Sequence, residues 1–148
     1  MFGQIETHLT EVVKDLVRKG VDEFWLGEQG TFDNLSRIVM KEIKQECDWI
    51  NLYFFPAYYP SNAKLDWMYD NDYELLYPDA VAKVPPQVAI SCRNEYVAKN
   101  ADYIICYVNR QSGGAYKAVK KAKKYDKKII NLDTFATMPA VLPCPVLC

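Results

Sequence analysis

Short apolar runs alternate with longer segments of helical periodicity along this chain, and that alternation restricts the fold more than any other feature of the sequence. The largely apolar runs, four to six residues long, cover residues 23–26, 50–55, 103–108 and 128–132. Runs of this length and character are typical of strands that are covered on both faces of a parallel sheet. We therefore predict an α/β fold with a mostly parallel sheet.

Segments with helical periodicity lie before and between these runs. Their apolar residues recur at three- and four-residue spacing over residues 5–17, 35–43, 88–96 and 115–122, and Gly20 ends the first segment. Helices that alternate with buried strands imply right-handed crossovers, so the expected architecture is a Rossmann-like three-layer sandwich. Residues 79–84 are predicted to form a further short strand. Residues 56–77 are predicted to form a long aromatic loop or partial helix.

Length and the composition of the C-terminus bear on domain organisation. A chain of 148 residues can form one domain with its own core, and we assign residues 1–132 to that domain. Residues 133–148 contain Pro139, Pro143 and Pro145, which disfavour both a central strand and a helix. We interpret this segment as a proline-rich extension.

Charge and cysteine content restrict the classes of partner that we expect and the cellular compartment in which we expect the protein. The net charge of -1 provides no positive field for nucleic acid, so a nucleic-acid partner is not expected. The five cysteines show no CxxC pairing, which suits reduced thiols, and the chain has neither a signal peptide nor an apolar run long enough to span a membrane. We predict a cytoplasmic protein with no membrane partner, metal or cofactor. The excess of aromatic residues favours a homodimer or an aromatic pocket.

Residues 27–33 form a glycine-bearing turn that follows a predicted strand and opens a predicted helix. Its glycines allow the backbone to approach an anion, and Asp33 can cap the helix or accept a hydrogen bond from a ribose hydroxyl. The alternative is a tight turn with a capped helix and no ligand. The residues that we assign to a ligand here are Gly27, Gln29, Gly30 and Asp33.

A second turn, Ser112-Gly113-Gly114, also lies between a predicted strand and a predicted helix. Its two glycines leave N–H groups suited to phosphate oxygens, and Ser112 adds a hydroxyl. No Gly-Lys-Ser or Gly-Lys-Thr follows either turn, so neither matches the Walker pattern. In open parallel sheets, ligands bind at the carboxyl ends of the strands, where both turns are predicted to lie.

Arg93 and Asn94 lie on the helix that precedes the strand at residues 103–108. An arginine there can bind a phosphate through two hydrogen bonds or orient a sugar. A surface salt bridge is the alternative. The lysines of the last predicted helix are interpreted as a solvated face.

Five segments, taken in order and at their spacing, resemble the SLOG superfamily and its YpsA-like branch most. They are residues 27–33 (GEQGTFD), 93–97 (RNEYV), 101–105 (ADYII), 113–114 (GG) and 128–132 (KIINL). The superfamily also includes the DNA-processing Smf/DprA proteins and the lonely-guy phosphoribohydrolases. The resemblance covers about residues 20–132 and implies a Rossmann-like sheet with a nucleotide-type ligand. The positions that it assigns to that ligand are Gly27, Gly30, Asp33, Arg93, Asn94, Gly113 and Gly114.

Two departures from the family pattern affect what the resemblance implies. The hydrolases carry a Pro-Gly-Gly-x-Gly-Thr-x-x-Glu motif whose glutamate works on the glycosidic bond, and Lys120 occupies that position here. The family also begins with a strand that is normally central, whereas this sequence begins with a predicted helix. We therefore expect a sheet that lacks the usual first strand, with another segment or a partner chain covering the gap.

These observations predict that the protein binds or senses a nucleotide or nucleotide-derived small molecule, with aromatic residues between positions 58 and 73 over its base. No catalytic residue is assigned. One alternative is hydrolysis of a nucleotide, of the phosphoribohydrolase or N-glycosidase type, with Glu95 or Asp33 replacing the missing acid. A second alternative is a DNA-processing or partner-binding module.

Overall fold

The computed structural model describes residues 2–27 and 30–133. Within these ranges the chain has the predicted Rossmann-like α/β fold, with parallel strands between two layers of helices. The strands are β1 (Glu23–Leu26), β2 (Asn51–Phe54), β3 (Tyr73–Leu75), β4 (Tyr103–Cys106) and β5 (Lys128–Asn131). The helices are α1 (Phe2–Arg18), α2 (Thr31–Glu46), α3 (Asn62–Asp70), α4 (Asp79–Ala82), α5 (Ala89–Asn100) and α6 (Gly114–Lys124), with a short 3₁₀ helix at Pro86–Val88.

The strands form two parallel ladders. In the first ladder the order is β1-β2-β3, and Phe24 lies opposite Leu52, which lies opposite Tyr73. In the second ladder β4 pairs with β5, and Ile105 lies opposite Ile130. Among the described residues no ladder joins β1 to β4. Within the described ranges the sheet is therefore interrupted between these two strands.

Both ladders nevertheless belong to one layer, because their side chains enter the same two cores. One core contains Phe24 of β1 and Ile105 of β4, together with residues of α1, α2 and α3. The other core contains Ile104 of β4 and residues of α4, α5 and α6, and Trp25 of β1 packs against it. Successive residues of a strand point to opposite faces. Helices α1–α3 therefore cover one face of the sheet, and α4–α6 cover the other.

Helix α1 shows how the sequence pattern produces this packing. Leu9, Val12, Val13 and Leu16 recur at helical spacing, and each is at most 1% exposed. Burial of each such side chain stabilises the fold by roughly 1.5–3 kcal/mol. Gly20 follows the helix with a φ of 98°, a backbone conformation that favours glycine and ends the helix as predicted.

The prediction of a strand at residues 79–84 is wrong, because Asp79–Ala82 form helix α4. Pro78 lies immediately before the first turn, where it needs to donate no helical hydrogen bond, and the acidic Asp79 is favourable at a helix N-terminus. The sequence instead missed strand β3, within the segment expected to be irregular. Because β3 has three residues, lies at the edge of its ladder among the described residues and exposes Glu74, it has only a weak apolar pattern.

The partial helix expected between residues 56 and 77 is α3. The hydroxyl oxygen of Ser61 caps it by accepting a hydrogen bond from the Lys64 N–H at 3.2 Å. Asp72, at a φ of 61°, makes the turn from α3 into β3. Aromatic residues of the segment are thus divided between a helix, a strand and the exposed surface.

The predicted proline-rich extension lies outside the described residues, apart from Asp133. Cys106 is buried in the core, whereas Cys92 is partly exposed. Over residues 2–27 and 30–133, no helix has both the length and the apolar character needed to cross a membrane.

His8 lies on α1 and is 7% exposed. Burial lowers the pKa of His8 from its ordinary value of 6.5, and the Glu11 carboxylate partly opposes this. At pH values between the lowered pKa of folded His8 and 6.5, His8 binds more protons in the unfolded chain than in the folded protein. The stability contributed by the buried neutral imidazole is therefore lost as the pH falls through that window.

We expect urea unfolding to show a larger loss of stability between pH 7 and pH 5 for the wild type than for His8→Phe. Equal losses would contradict this account.

Candidate functional site

The two glycine turns follow β1 and β4 and open α2 and α6, and they meet at a cavity of about 470 Å³. One wall is the start of α2, from Gly30 to Asp33. Another is Arg93 and Asn94 of α5, and a third is formed by Tyr107, Arg110 and the start of α6. The cavity lies where the carboxyl ends of the two ladders face each other, the position at which open parallel sheets bind ligands.

Arg93 is the buried cation of this site, with 7% of its surface exposed. Its Nε donates a hydrogen bond to the Phe55 carbonyl oxygen at 3.1 Å, and its guanidinium lies 5.2 Å from the centre of the Phe55 ring. Its Nη1 donates a longer bond to Asn94 Oδ1 at 3.4 Å. These contacts fix the side chain and connect α5 to the end of β2.

Gly27 is a glycine because Arg93 lies against it. A Cβ atom at this position would lie 2.6 Å from Arg93 Nη2 and 3.6 Å from Asp33 Oδ2. The first distance is shorter than any normal contact, so a larger residue could not coexist with the present position of Arg93. The sequence analysis predicted that the backbone of this turn would lie close to an anion. At Gly27 the group that lies against the backbone is instead the Arg93 guanidinium.

Asp33 lines the cavity from the first turn of α2 and is 7% exposed. The helix begins after Gly30, whose φ is 155°, and no side chain among the described residues caps it. A carboxylate in the first turn is stabilised by the helix dipole. Asp33 is the one acidic residue among the described residues that line the cavity.

The amino ends of α2 and α6 supply backbone donors. The first helical hydrogen bonds run from Asn34 N–H to the Gly30 carbonyl and from Lys117 N–H to the Gly113 carbonyl. The N–H groups of the residues before these donors therefore have no acceptor within their helices. Such groups, together with the positive end of the dipole, favour an anion.

Arg110 is a site residue that the sequence analysis missed. It is exposed, it lines the cavity, and its guanidinium lies 3.7 Å from the Cβ position of Gly113. The signal available in the sequence was a basic residue three positions before a glycine that follows a strand. The structure therefore places two arginines at the cavity where one was expected.

The predicted site residues divide into three groups. Those that line the cavity are Gly30, Asp33, Arg93, Asn94 and Gly114. Gly27 contacts Arg93 behind the cavity wall, and Ser112 and Gly113 lie in the α6 turn without lining the cavity. Gln29 lies outside the described residues.

The aromatic residues between positions 58 and 73 do not line the cavity, so they do not lie where the sequence analysis expected a base. Trp67 instead packs beside Tyr73, with its ring centre 5.5 Å from the Arg37 guanidinium and 5.5 Å from Lys64 Nζ. Arg37 also donates a hydrogen bond to the Gly27 carbonyl oxygen at 3.2 Å. The segment thus supports the first glycine turn from outside the cavity.

Glu95, one of the two candidate acids, does not line the cavity. Its carboxylate accepts a hydrogen bond from the Tyr125 hydroxyl and lies 3.8 Å from Lys121 Nζ. The bond from Tyr125 and, to a smaller extent, nearby lysines lower the pKa of Glu95, which keeps it ionised. Lys120 is exposed and does not line the cavity either. Among the described residues no group of three His, Cys, Asp or Glu side chains could hold a metal ion.

Comparisons with known proteins do not assign this chain to a family. No family model matches it, and no curated protein matches it. Among solved structures it is similar to (E)-4-hydroxy-3-methyl-but-2-enyl diphosphate reductase, described as the terminal enzyme of the non-mevalonate pathway, at 12% identity and a TM-score of 0.27. That match covers 96% of this chain and 57% of the reductase chain. A likeness at this TM-score carries no argument about fold or function.

Replacement of Gly27 by alanine should destabilise the protein by about 1–3 kcal/mol. The tip of a long side chain usually gives way at small cost, but the Arg93 guanidinium is buried and would have to leave its bond with the Phe55 carbonyl. Gly114→Ala is the matched control, because no atom lies within 4 Å of its Cβ position. Urea unfolding should show a loss for Gly27→Ala and little change for Gly114→Ala. Equal effects would show that Arg93 does not restrict position 27.

Proposed function

We propose that this protein binds a nucleotide or a nucleotide-derived small molecule in the cavity between the two ladders. The observation that carries the proposal is the convergence of Arg93, Arg110 and the amino ends of α2 and α6 on one cavity. Two cationic side chains and two sets of backbone donors favour an anionic group such as a phosphate. The volume of about 470 Å³ lies within the usual range for small-molecule sites.

The chemistry of the walls supports a distinct role for each side of the cavity. Arg110 and the start of α6 suit the phosphate, because the arginine is exposed and can bind two oxygens at once. Asp33 can accept hydrogen bonds from ribose hydroxyls. Tyr107, Phe32 and Ile90 provide apolar surface for a base, in place of the aromatic segment expected from the sequence.

The proposal is tested by thermal unfolding in the presence of nucleoside monophosphates and diphosphates, ADP-ribose and cyclic dinucleotides, because a ligand that binds the folded state raises its apparent stability. We expect one of these classes to raise the Tm of the wild type. Arg93→Ala should weaken binding by about 1.5–3 kcal/mol, the scale of a charged hydrogen bond. Arg110→Ala should weaken it similarly and, since Arg110 is exposed, without a loss of stability in the absence of ligand.

Arg18→Ala is the control for this experiment, because it removes an exposed cation at the far end of α1. It should leave the ligand-dependent Tm shift unchanged. An equal loss of the shift in Arg18→Ala and Arg110→Ala would indicate non-specific attraction of anions. The absence of a shift with all ligand classes in folded wild-type protein would refute the proposal.

Hydrolysis of a nucleotide is the second candidate function, and the position of Asp33 in the cavity favours Asp33 over Glu95 as its acid. Binding alone predicts that no free base is released when a bound nucleoside monophosphate is incubated with the protein and analysed by chromatography. Hydrolysis predicts release that Asp33→Asn abolishes and Glu95→Gln leaves intact. Release that depends on Glu95 would contradict both functions as they are described above.

A homodimer stays a prediction. The exposed aromatic residues that favour it are Trp49, Tyr58, Tyr59 and Tyr69. Sedimentation of the purified protein would test it.

A further inference from the structure

The interruption between β1 and β4 leaves these two strands too far apart to pair with each other among the described residues. For most residue pairs between these two strands the Cα atoms lie more than 8 Å apart, whereas hydrogen-bonded neighbours lie about 4.8 Å apart. Each strand pairs on its other side, β1 with β2 and β4 with β5, and every pairing is parallel. We call the space between β1 and β4 the strand gap. One extra strand in the gap would make the two ladders a continuous sheet.

The β1 edge of the strand gap presents main-chain hydrogen-bonding groups. The carbonyl groups of Asp22 and Leu26 accept bonds at 2.6 and 2.8 Å from the N–H groups of the residues that begin and follow β2. The main-chain groups of a strand point alternately to its two sides. Those of Glu23 and Trp25 therefore point away from β2 and into the gap, where no ladder partner meets them among the described residues.

The two helix layers extend across the strand gap. Core residues of β1 and β4 belong to the same cluster as those of α1 and α2 on one face. On the other face Trp25 of β1 lies 6.0 Å, centre to centre, from Tyr96 of α5. A strand in the gap would be covered on both faces, which requires apolar residues at successive positions. It would also require a free N–H at each central residue, which excludes proline.

Charges differ between the two ends of the strand gap. At the amino end of β1 and β4 a cavity of about 310 Å³ is lined by the carboxylates of Asp22, Glu23 and Asp102. Lys19, the one basic residue that lines it in the described part of the chain, forms an ion pair with Asp15 at 2.9 Å. The carboxyl end opens toward Arg93 and Arg110 in the cavity of about 470 Å³. A parallel strand would therefore be favoured by a basic residue at its amino end and disfavoured by one at its carboxyl end.

We propose that the strand gap is a binding site for an extended peptide strand that runs parallel to β1 and β4. The peptide has a basic residue followed by about four apolar residues without proline, a length set by the four-residue strands on either side. It gains main-chain hydrogen bonds along both of its edges, unlike a peptide that adds to one exposed edge of a sheet. This proposal is independent of the nucleotide site.

The test uses the synthetic peptide acetyl-Lys-Ile-Val-Ile-Val-Gly-amide and hydrogen exchange measured by NMR. In the free protein we expect the amides of Glu23 and Trp25 to exchange faster than those of Phe24 and Leu26, which face β2. With the peptide bound, exchange at Glu23 and Trp25 should slow by at least about tenfold. Slow exchange at Glu23 and Trp25 in the free protein would mean that the gap is already closed, and would overturn the proposal.

N-methylated peptides distinguish insertion from one-sided addition. A strand paired along one edge tolerates N-methylation at every second residue, because those N–H groups point outward. A strand paired along both edges does not, so methylation of either of two successive central residues should abolish the protection of Trp25. Tolerance of one of these methyl groups would show one-sided pairing and would overturn insertion.

Weak affinity is addressed by linking the same peptide to Met1 through a Gly-Ser linker, which raises its effective concentration. Helix α1 ends at Arg18 shortly before β1 begins, so its first residues lie toward the carboxyl end of β1, where the inserted strand would also end. We expect the linked peptide to raise the Tm by at least about 4 °C, and the same peptide with proline in place of its second isoleucine, a central residue, to have no such effect. Equal Tm values and equal exchange for the two linked versions would refute the proposal.

Discussion

The need to bury both faces of the five short parallel strands of residues 2–27 and 30–133 determines most of this structure. A strand of four residues contributes only two side chains to each face, so no single strand forms a core. The side chains of both ladders enter the same two clusters, and this shared burial keeps the ladders in one layer although no hydrogen-bonded ladder joins them among the described residues. The helices that complete the two clusters are thereby held on opposite faces. The carboxyl ends of β1 and β4 then face each other, and the site lies there.

Regular elements could be predicted from the sequence where burial produces a strong pattern. Buried strands are short continuous apolar runs, and helices such as α1 have one apolar face, so their positions could be identified to within a few residues. Secondary structure was harder to predict between residues 56 and 84, where the apolar pattern is weak. Strand β3 is an edge strand with an exposed Glu74, and the four-residue helix α4 depends on Pro78 and its contacts more than on periodicity. Neither has enough buried side chains to show a period.

The site was predictable to the extent that it depends on chain order. Turns after parallel strands meet at one edge of a sheet, and this rule was enough to expect Gly30, Asp33 and Gly114 near one another. Arg93 lines the same cavity, although nothing in its local sequence shows that it is buried. Arg110 and the position of the aromatic segment were not predicted, because they depend on the path of the loop after β4 and on the packing of α3 and β3, which local sequence does not determine. An interruption of the sheet was expected from the resemblance, but the strands that flank it and the charges at its ends required coordinates.

Gly27 and Arg93 share a volume that only one of them can fill. The guanidinium occupies the space in which a side chain at position 27 would begin, at 2.6 Å from the Cβ position. Sequence change at the two positions therefore has a preferred order. If position 93 becomes smaller first, the Phe55 carbonyl loses a donor but space opens for a larger residue at position 27. In the reverse order, a larger residue at position 27 overlaps Arg93 before position 93 has changed. A compatible pair of substitutions is therefore reached more easily when position 93 changes first.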